Sequence, residues 1–401
     1  KGQELYQKLN KLLDTDKDID EMDFLIFPKG HGPNFILECH KLGISIWIIP
    51  MLYTYAFQHY SSNINKKEEI CESERVKRLL ESTRVFLLIS PDATTGWHTR
   101  KRLIQMEVLS PEEELAFLSV VFTKHPKSGA AWGHRRWVLQ QMPLFNKPPT
   151  PYAGGYFSKE EFKRELSICE ASAASYKNNY YAWTHRIWVL RWENHLNELQ
   201  KEYKWCNKWN PMHVSENSGF HYRQHLLRKM SMVNGSKYLD VMQSLTPSKS
   251  IGKPARIKDS KAGDSWIPKL WQEELDFIKD LIVRYEGFET LWIHLRFVQA
   301  HQLRIKCVDR KGGEELWKFL EKFLQNQLKF SRDACGPSGN TSQRQIRFAS
   351  LYRVRCCVDV ELLAKEVTGK VPESLRKIGL ICRKELTKEW PDRASCGGFK
   401  I

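Results

Sequence analysis

The sequence predicts an all-α protein, a right-handed α-α superhelix (solenoid) of helical hairpins. Three observations carry that prediction. One motif recurs along the chain, helix-start signals alternate with Pro- or Asn-bearing turns, and almost no segment shows the two-residue alternation of a strand. The motif is seen in PDATTGWHTRKRLI from Pro91, PKSGAAWGHRRWVL from Pro126, KNNYYAWTHRIWVL from Lys177 and SENSGFHYRQHLL from Ser215. In each, an aromatic residue (Trp97, Trp132, Trp183, Phe220) precedes an arginine by three positions (Arg100, Arg135, Arg186, Arg223). A weaker fifth copy has Trp292 as its anchor, with Leu295 in the usual arginine place and Arg296 displaced by one. Successive anchors lie 35, 51, 37 and 72 residues apart, a base period near 35 with insertions.

Helical geometry explains the spacing. At 100° per residue, Trp183, Arg186, Ile187 and Leu190 share one arc, while His185 and Trp188 face the other way. A helix with large aromatics on two faces must be covered twice, by its own hairpin mate and by a neighbouring repeat. The recurring arginine then reads as structural, its stem packed and its guanidinium meeting carbonyls or a carboxylate next door. Each anchor helix has a partner before it. Ser110-Pro111-Glu112 opens one, and Ser158 with Glu161 forms a capping box for another. Segments 68–88, 197–208 and 269–285 play the same part. Residues 1–63 read as an irregular helical head, with helices over 2–13 and 47–60. Residues 64–401 form the repeat solenoid, and 232–267, rich in Ser, Gly, Lys and Pro, reads as an exposed insertion. Helices over 313–330, 342–367 and 373–389 close the stack.

Composition bounds the function. With 41% hydrophobic and 27% charged residues, the 401-residue chain has material for a full core. No apolar run is long enough to span a bilayer, so no transmembrane segment is expected. The net charge of +16 raises nucleic acid as a partner. Its basic residues are scattered, however, with no run of five, and a solvated basic surface is the preferred reading. Ten irregularly spaced cysteines fit neither a disulfide framework nor a zinc knuckle, and a reducing, cytoplasmic location is expected. Cys396 stands too far from Ile401 to be a CaaX acceptor. The histidines are dispersed, so no metal site is expected, and His134 and His185 read as core or interface residues.

The loose pattern P-x-N-Y-x-x-W-x-x-R-R-W-x-L resembles the α-subunit repeat of the protein prenyltransferases. PKSGAAWGHRRWVL and NNYYAWTHRIWVL match it best, and the resemblance covers about residues 66–305. Neither the immunoglobulin-like and leucine-rich modules of the animal Rab-type α-subunit nor the Pro-rich head of the farnesyltransferase α-subunit is found. The type resembled is the α-subunit of the type III geranylgeranyltransferase.

What that implies is specific. The chain would pair with a Rab-type β-subunit that carries the catalytic zinc. Geranylgeranyl pyrophosphate would be the co-substrate, joined to a C-terminal cysteine of an acceptor protein. In the family a lysine five residues before the motif Trp reaches the pyrophosphate, and that position is Lys127. Where farnesyltransferase has a histidine two residues before the next Trp, this chain has Tyr181. Gly129 replaces the usual turn tyrosine, and Ala130 stands where CaaX enzymes use a glutamine for the substrate carboxylate. A non-enzymatic helical-repeat scaffold is the alternative.

Overall fold

Helix starts and stops in this chain are written in side-chain chemistry. In the computed structural model, which describes residues 1–28, 31–65, 72–142, 157–233, 261–307, 313–336 and 341–391, Ser110 accepts from the Glu113 amide. Glu113 bonds back to the Ser110 amide, completing a capping box. Ser158 and Glu161 do the same at the next outer helix. Ser128 and Asn179 cap inner helices by accepting from the amides of Ala131 and Ala182. Each such cap satisfies amides that would otherwise have no partner, about 1 kcal/mol apiece.

Contacts divide the chain into residues 1–193 and 194–401. The first unit holds three hairpins: α3 (Glu72–Ile89) with α4 (Thr94–Gln105), α5 (Pro111–Lys124) with α6 (Gly129–Gln141), and α7 (Lys159–Ser175) with α8 (Tyr180–Arg191). In front of them come α1 (Gly2–Thr15) and α2 (Ile49–Asn65), and one apolar core runs from Leu5 through Phe86, Trp132 and Phe162 to Val189. The second unit contains α9 (Leu196–Met212), α10 (Asn217–Val233), α11 (Lys261–Arg284) and α12 (Glu289–Cys307). It ends with α13 (Glu314–Asp333), α14 (Gln343–Thr368) and α15 (Glu373–Glu389). Its core centres on Trp271, Ile282, Leu295 and Leu320, all fully buried. The all-α hairpin fold read from the repeat is the fold observed.

Two expectations need correction. The head is not purely helical. Strands β1 (Glu21–Leu25), β2 (Phe35–Glu38) and β3 (Lys41–Ser45) form a small sheet in the order β1-β3-β2. β1 runs parallel to β3, and β2 pairs antiparallel to β3 through the two-residue turn Cys39-His40. Both turn residues have positive φ, 48° and 62°, the twist a tight hairpin requires. These strands of four or five residues, with only one face buried, leave too short an alternation to read. The second correction concerns the predicted insertion. α10 continues to Val233, and α11 begins at Lys261 and carries Pro268 in its interior. Ile267, Leu270 and Trp271 are buried, so the polar composition hid the start of an amphipathic helix. The remainder, 234–260, lies outside the described residues, as does Cys396.

The sheet is tied to α5 by side-chain bonds. The Thr123 hydroxyl, near the end of α5, accepts from the Met22 amide of β1 at 3.0 Å. Lys124 ion-pairs with Asp23, and its ammonium lies over the Phe24 ring at 5.0 Å. The head therefore grips α5 immediately before the turn that carries Lys127.

Candidate functional site at the turns before the inner helices

The anchors build the turns from inside. Trp97, Trp132, Trp183, Phe220 and Trp292 are buried, as are Arg100, Arg135, Arg186 and Arg223. The Trp97 indole donates to the Pro91 carbonyl at 2.6 Å, and Trp132 donates to Pro126 at 2.9 Å. An indole N–H six residues downstream thus pins the turn proline in each case. Arg100 grips Glu114 of the next outer helix through Nε at 2.9 Å and Nη2 at 2.5 Å. Arg135 holds Glu165 in the same way at 2.9 and 2.6 Å, and Arg223 holds Glu274 at 2.7 and 2.5 Å. The arginines also reach back to their own hairpin mates, Arg135 to the Leu115 carbonyl and Arg186 to the Leu166 carbonyl.

A third group completes each cluster. His134, His185 and His294, two residues after their anchors, donate from Nε2 to Glu114, Glu165 and Glu274 at 2.7, 2.8 and 2.6 Å. Burial lowers the basicity of all three imidazoles, against the pull of the neighbouring carboxylates. Hydrogen bonding agrees with neutral rings. Among the described residues, Nδ1 of His134 and His185 is buried without a donor or acceptor opposite, and Nδ1 of His294 accepts from Gln224. Burial works to raise the Glu114 and Glu165 carboxyls, but the charge of Arg100 or Arg135, with the hydrogen bonds around it, holds each at about 2. In the fourth repeat Tyr222 replaces the histidine and donates to Glu202 at 2.9 Å. The position needs a neutral donor, not a charge. In the fifth copy Leu295 is buried and Arg296 pairs with Asp359 of α14 at a half-exposed site.

The turns themselves carry the exposed chemistry. Lys127 is exposed, and its Nζ lies 4.2 Å from the Tyr176 ring centroid. Tyr181 is 38% exposed and packs over Gly129, whose Cβ, if present, would sit 2.7 Å from the Tyr181 ring. Tyr180 stands edge-on to Tyr181 at 5.7 Å. The structure brings Lys127 and Tyr181 to neighbouring turns, Tyr181 packing over Gly129 while Trp132 pins the Lys127 turn from inside. The sequence marks Asn179 only as a turn residue and gives no sign of Tyr176. Asn179 is fully buried and donates to the carbonyls of Pro126 at 2.7 Å and Ser172 at 3.1 Å, clamping the two turns together.

The turn offers an ammonium and phenols, which are not a zinc donor set. Elsewhere among the described residues, Asp16, Asp18 and His40 come within 4.8 Å of one another beside the β2–β3 turn. They are exposed or half-exposed, and His40 is already bonded to Asp16.

Comparison with known proteins follows the same hairpins. The profile of the protein prenyltransferase alpha subunit repeat matches residues 111–142 and 162–193, which are α5 with α6 and most of α7 with α8. A protein prenyltransferase alpha subunit repeat-containing protein 1 from Danio rerio is 32% identical over 331 residues, covering 78% of this chain and 75% of the relative. The chain belongs to the protein prenyltransferase α-subunit repeat family. The Homo sapiens protein of the same name is 34% identical over 303 residues, 70% of this chain and 72% of that one. The geranylgeranyl transferase type-2 subunit alpha of Mus musculus is 28% identical over 142 residues, 33% of this chain and 22% of its own length. Within this member of the repeat family, the buried Arg–Glu–His clusters explain why the motif recurs along the chain. Among the described residues no helix is long and apolar enough to cross a membrane, and the eight cysteines are free thiols.

Proposed function

We propose that this chain is the α-subunit of a heterodimeric protein geranylgeranyltransferase. It holds a zinc-bearing, Rab-type β-subunit and contributes the Lys127 turn to the isoprenoid pyrophosphate site. The observation that carries the reading is Lys127 itself. It is an exposed ammonium on a turn fixed by Trp132, Asn179 and the Ser128 cap, and among the described residues no carboxylate pairs with it. A compact cation suits a leaving group whose negative charge grows as the thioether forms. When bound, zinc on the β-subunit would lower the acceptor thiol's pKa. This chain's own share is to bind and orient the anionic end of the co-substrate and to seat the acceptor protein.

Gly129 and Ala130 refine the substrate class. The turn lacks the glutamine that reads a CaaX carboxylate in related enzymes, with Ala130 in its place and Gly129 in place of the usual tyrosine, so acceptor choice rests on a broader protein surface. A short CaaX peptide should therefore be a much poorer substrate than the whole acceptor protein. Equal turnover of the two would defeat that part of the proposal.

Co-expression with a Rab-type β-subunit tests the central claim. A stable 1:1 complex that transfers geranylgeranyl to a protein cysteine is expected, in a reducing, cytoplasmic setting. Lys127→Ala should keep the complex and lower turnover at least tenfold. Loss of assembly instead would make Lys127 structural. A folded chain that binds no β-subunit would favour a non-enzymatic scaffold.

A further inference from the structure

Lys127 lies over an aromatic ring, as Lys101 and Lys279 do over Trp137 and Phe330. Lys41, Lys124, Lys201 and Lys318 all lie beside carboxylates. Lys127 has none within ion-pair range among the described residues and rests instead on the face of Tyr176 at 4.2 Å. Tyr176 is the residue that ends α7, half exposed, one hairpin further along the chain. The two side chains are not left to find each other. Asn179 bonds the Pro126 carbonyl on one turn and the Ser172 carbonyl at the end of α7, so the backbones carrying Lys127 and Tyr176 are fixed at a buried point between them.

A ring face and a carboxylate hold a cation with different consequences. A carboxylate would neutralise the ammonium and would have to be displaced by an incoming anion. The aromatic quadrupole attracts the cation while adding no net charge. The whole positive charge stays available, and the flexible four-carbon stem is confined before the anion arrives. We infer that Tyr176 is a positioning residue that presents Lys127 to the pyrophosphate of the isoprenoid co-substrate. This rests on the transferase reading above and deepens it by adding a residue that the repeat motif does not contain.

Two measurements separate the inference from the reading beneath it. In the first, lysines of the full purified chain are dimethylated with ¹³C-formaldehyde, which preserves their charge, and the Lys127 signal is assigned with Lys127→Arg. That signal should be shifted upfield by the ring current, remain so in Tyr176→Phe, and return to the bulk lysine position in Tyr176→Leu. An unshifted signal in the wild-type chain overturns the inference whatever the enzyme does. In the second, the complex with the β-subunit is assayed. Tyr176→Leu should lower kcat about three- to fivefold with KM for the acceptor unchanged. Tyr176→Phe should restore it, and Tyr176→Leu should add nothing to Lys127→Ala. An active wild-type complex in which Tyr176→Leu turns over normally overturns the positioning role and leaves the transferase reading intact. A wild-type complex that assembles but transfers nothing overturns both.

Discussion

A buried arginine such as Arg135 is tolerable only because its charge is answered at fixed distances by Glu165, Leu115 and Ser119. Removing one ionic partner should therefore cost far more than removing the neutral one. Glu165→Gln is expected to destabilise the chain by about 3–5 kcal/mol, because it leaves a guanidinium uncompensated in the core. His185→Phe, which deletes only a neutral donor, should cost about 1–3 kcal/mol. Chemical denaturation of both variants checks the order, and equal losses would mean that the imidazole carries charge. Acid should act through the same clusters. Glu114 and Glu165 are depressed in the fold, so the stability they confer is complete above the ordinary carboxylate range and is lost as pH falls towards about 2. The buried histidines are depressed too, so the unfolded chain takes up more protons than the folded one once pH drops below about 6.5. Both effects run the same way. The urea midpoint should fall steadily from pH 7.5 to pH 5, and a flat profile would contradict the neutral-histidine assignment. The arginines were legible in the sequence because they recur at a constant offset from the aromatic. Their glutamates were not, because Arg100, Arg135 and Arg223 lie 14, 30 and 51 residues from their partners. No single spacing could reveal such pairs.

Between elements, close approach is set by small residues placed at the start of inner helices. A Cβ on Gly96 would meet Phe86 at 2.6 Å and Leu87 at 3.0 Å, and both of these side chains are fully buried in α3. Gly129 is superficially alike, but its obstacle is the outer end of the half-exposed Tyr181 ring. Gly96→Ala should thus lower stability by about 1–3 kcal/mol through overpacking, while Gly129→Ala should be nearly neutral and displace Tyr181. Thermal melts of the two variants decide it, and the opposite order would be inconsistent with the packing described. Helix positions were mostly readable from caps and turn residues, and Ser110 and Ser158 start their helices where those signals fall. The sheet was not readable, since its strands are short and β1 is held by a parallel ladder to β3 and a bond from the Met22 amide to Thr123, 101 positions away, that leave no local mark. Tyr176 was missed for a similar reason. Its importance comes from the lysine above it, which lies 49 positions earlier in the chain.

For the whole molecule, charge is the property most open to misreading. A net charge of +16 invites nucleic acid, yet the basic residues are scattered along the sequence with no run of five. Binding of the full chain to mixed RNA should be weak and lack a steep salt dependence. Tight binding that weakens sharply with salt would reopen the matter. The constant element of the molecule is a length. Glu114 to His134, Glu165 to His185, Glu202 to Tyr222 and Glu274 to His294 are each 20 residues, spanning one turn from outer to inner helix. Segments 143–156 and 234–260, by contrast, lie between one hairpin and the next. Lengthening the chain inside a hairpin would rotate a histidine out of reach of its glutamate, whereas lengthening it between hairpins leaves every such pair in register. The hairpin is therefore the module of this chain that must be copied, spliced or grafted whole, and added sequence is tolerated at the joints.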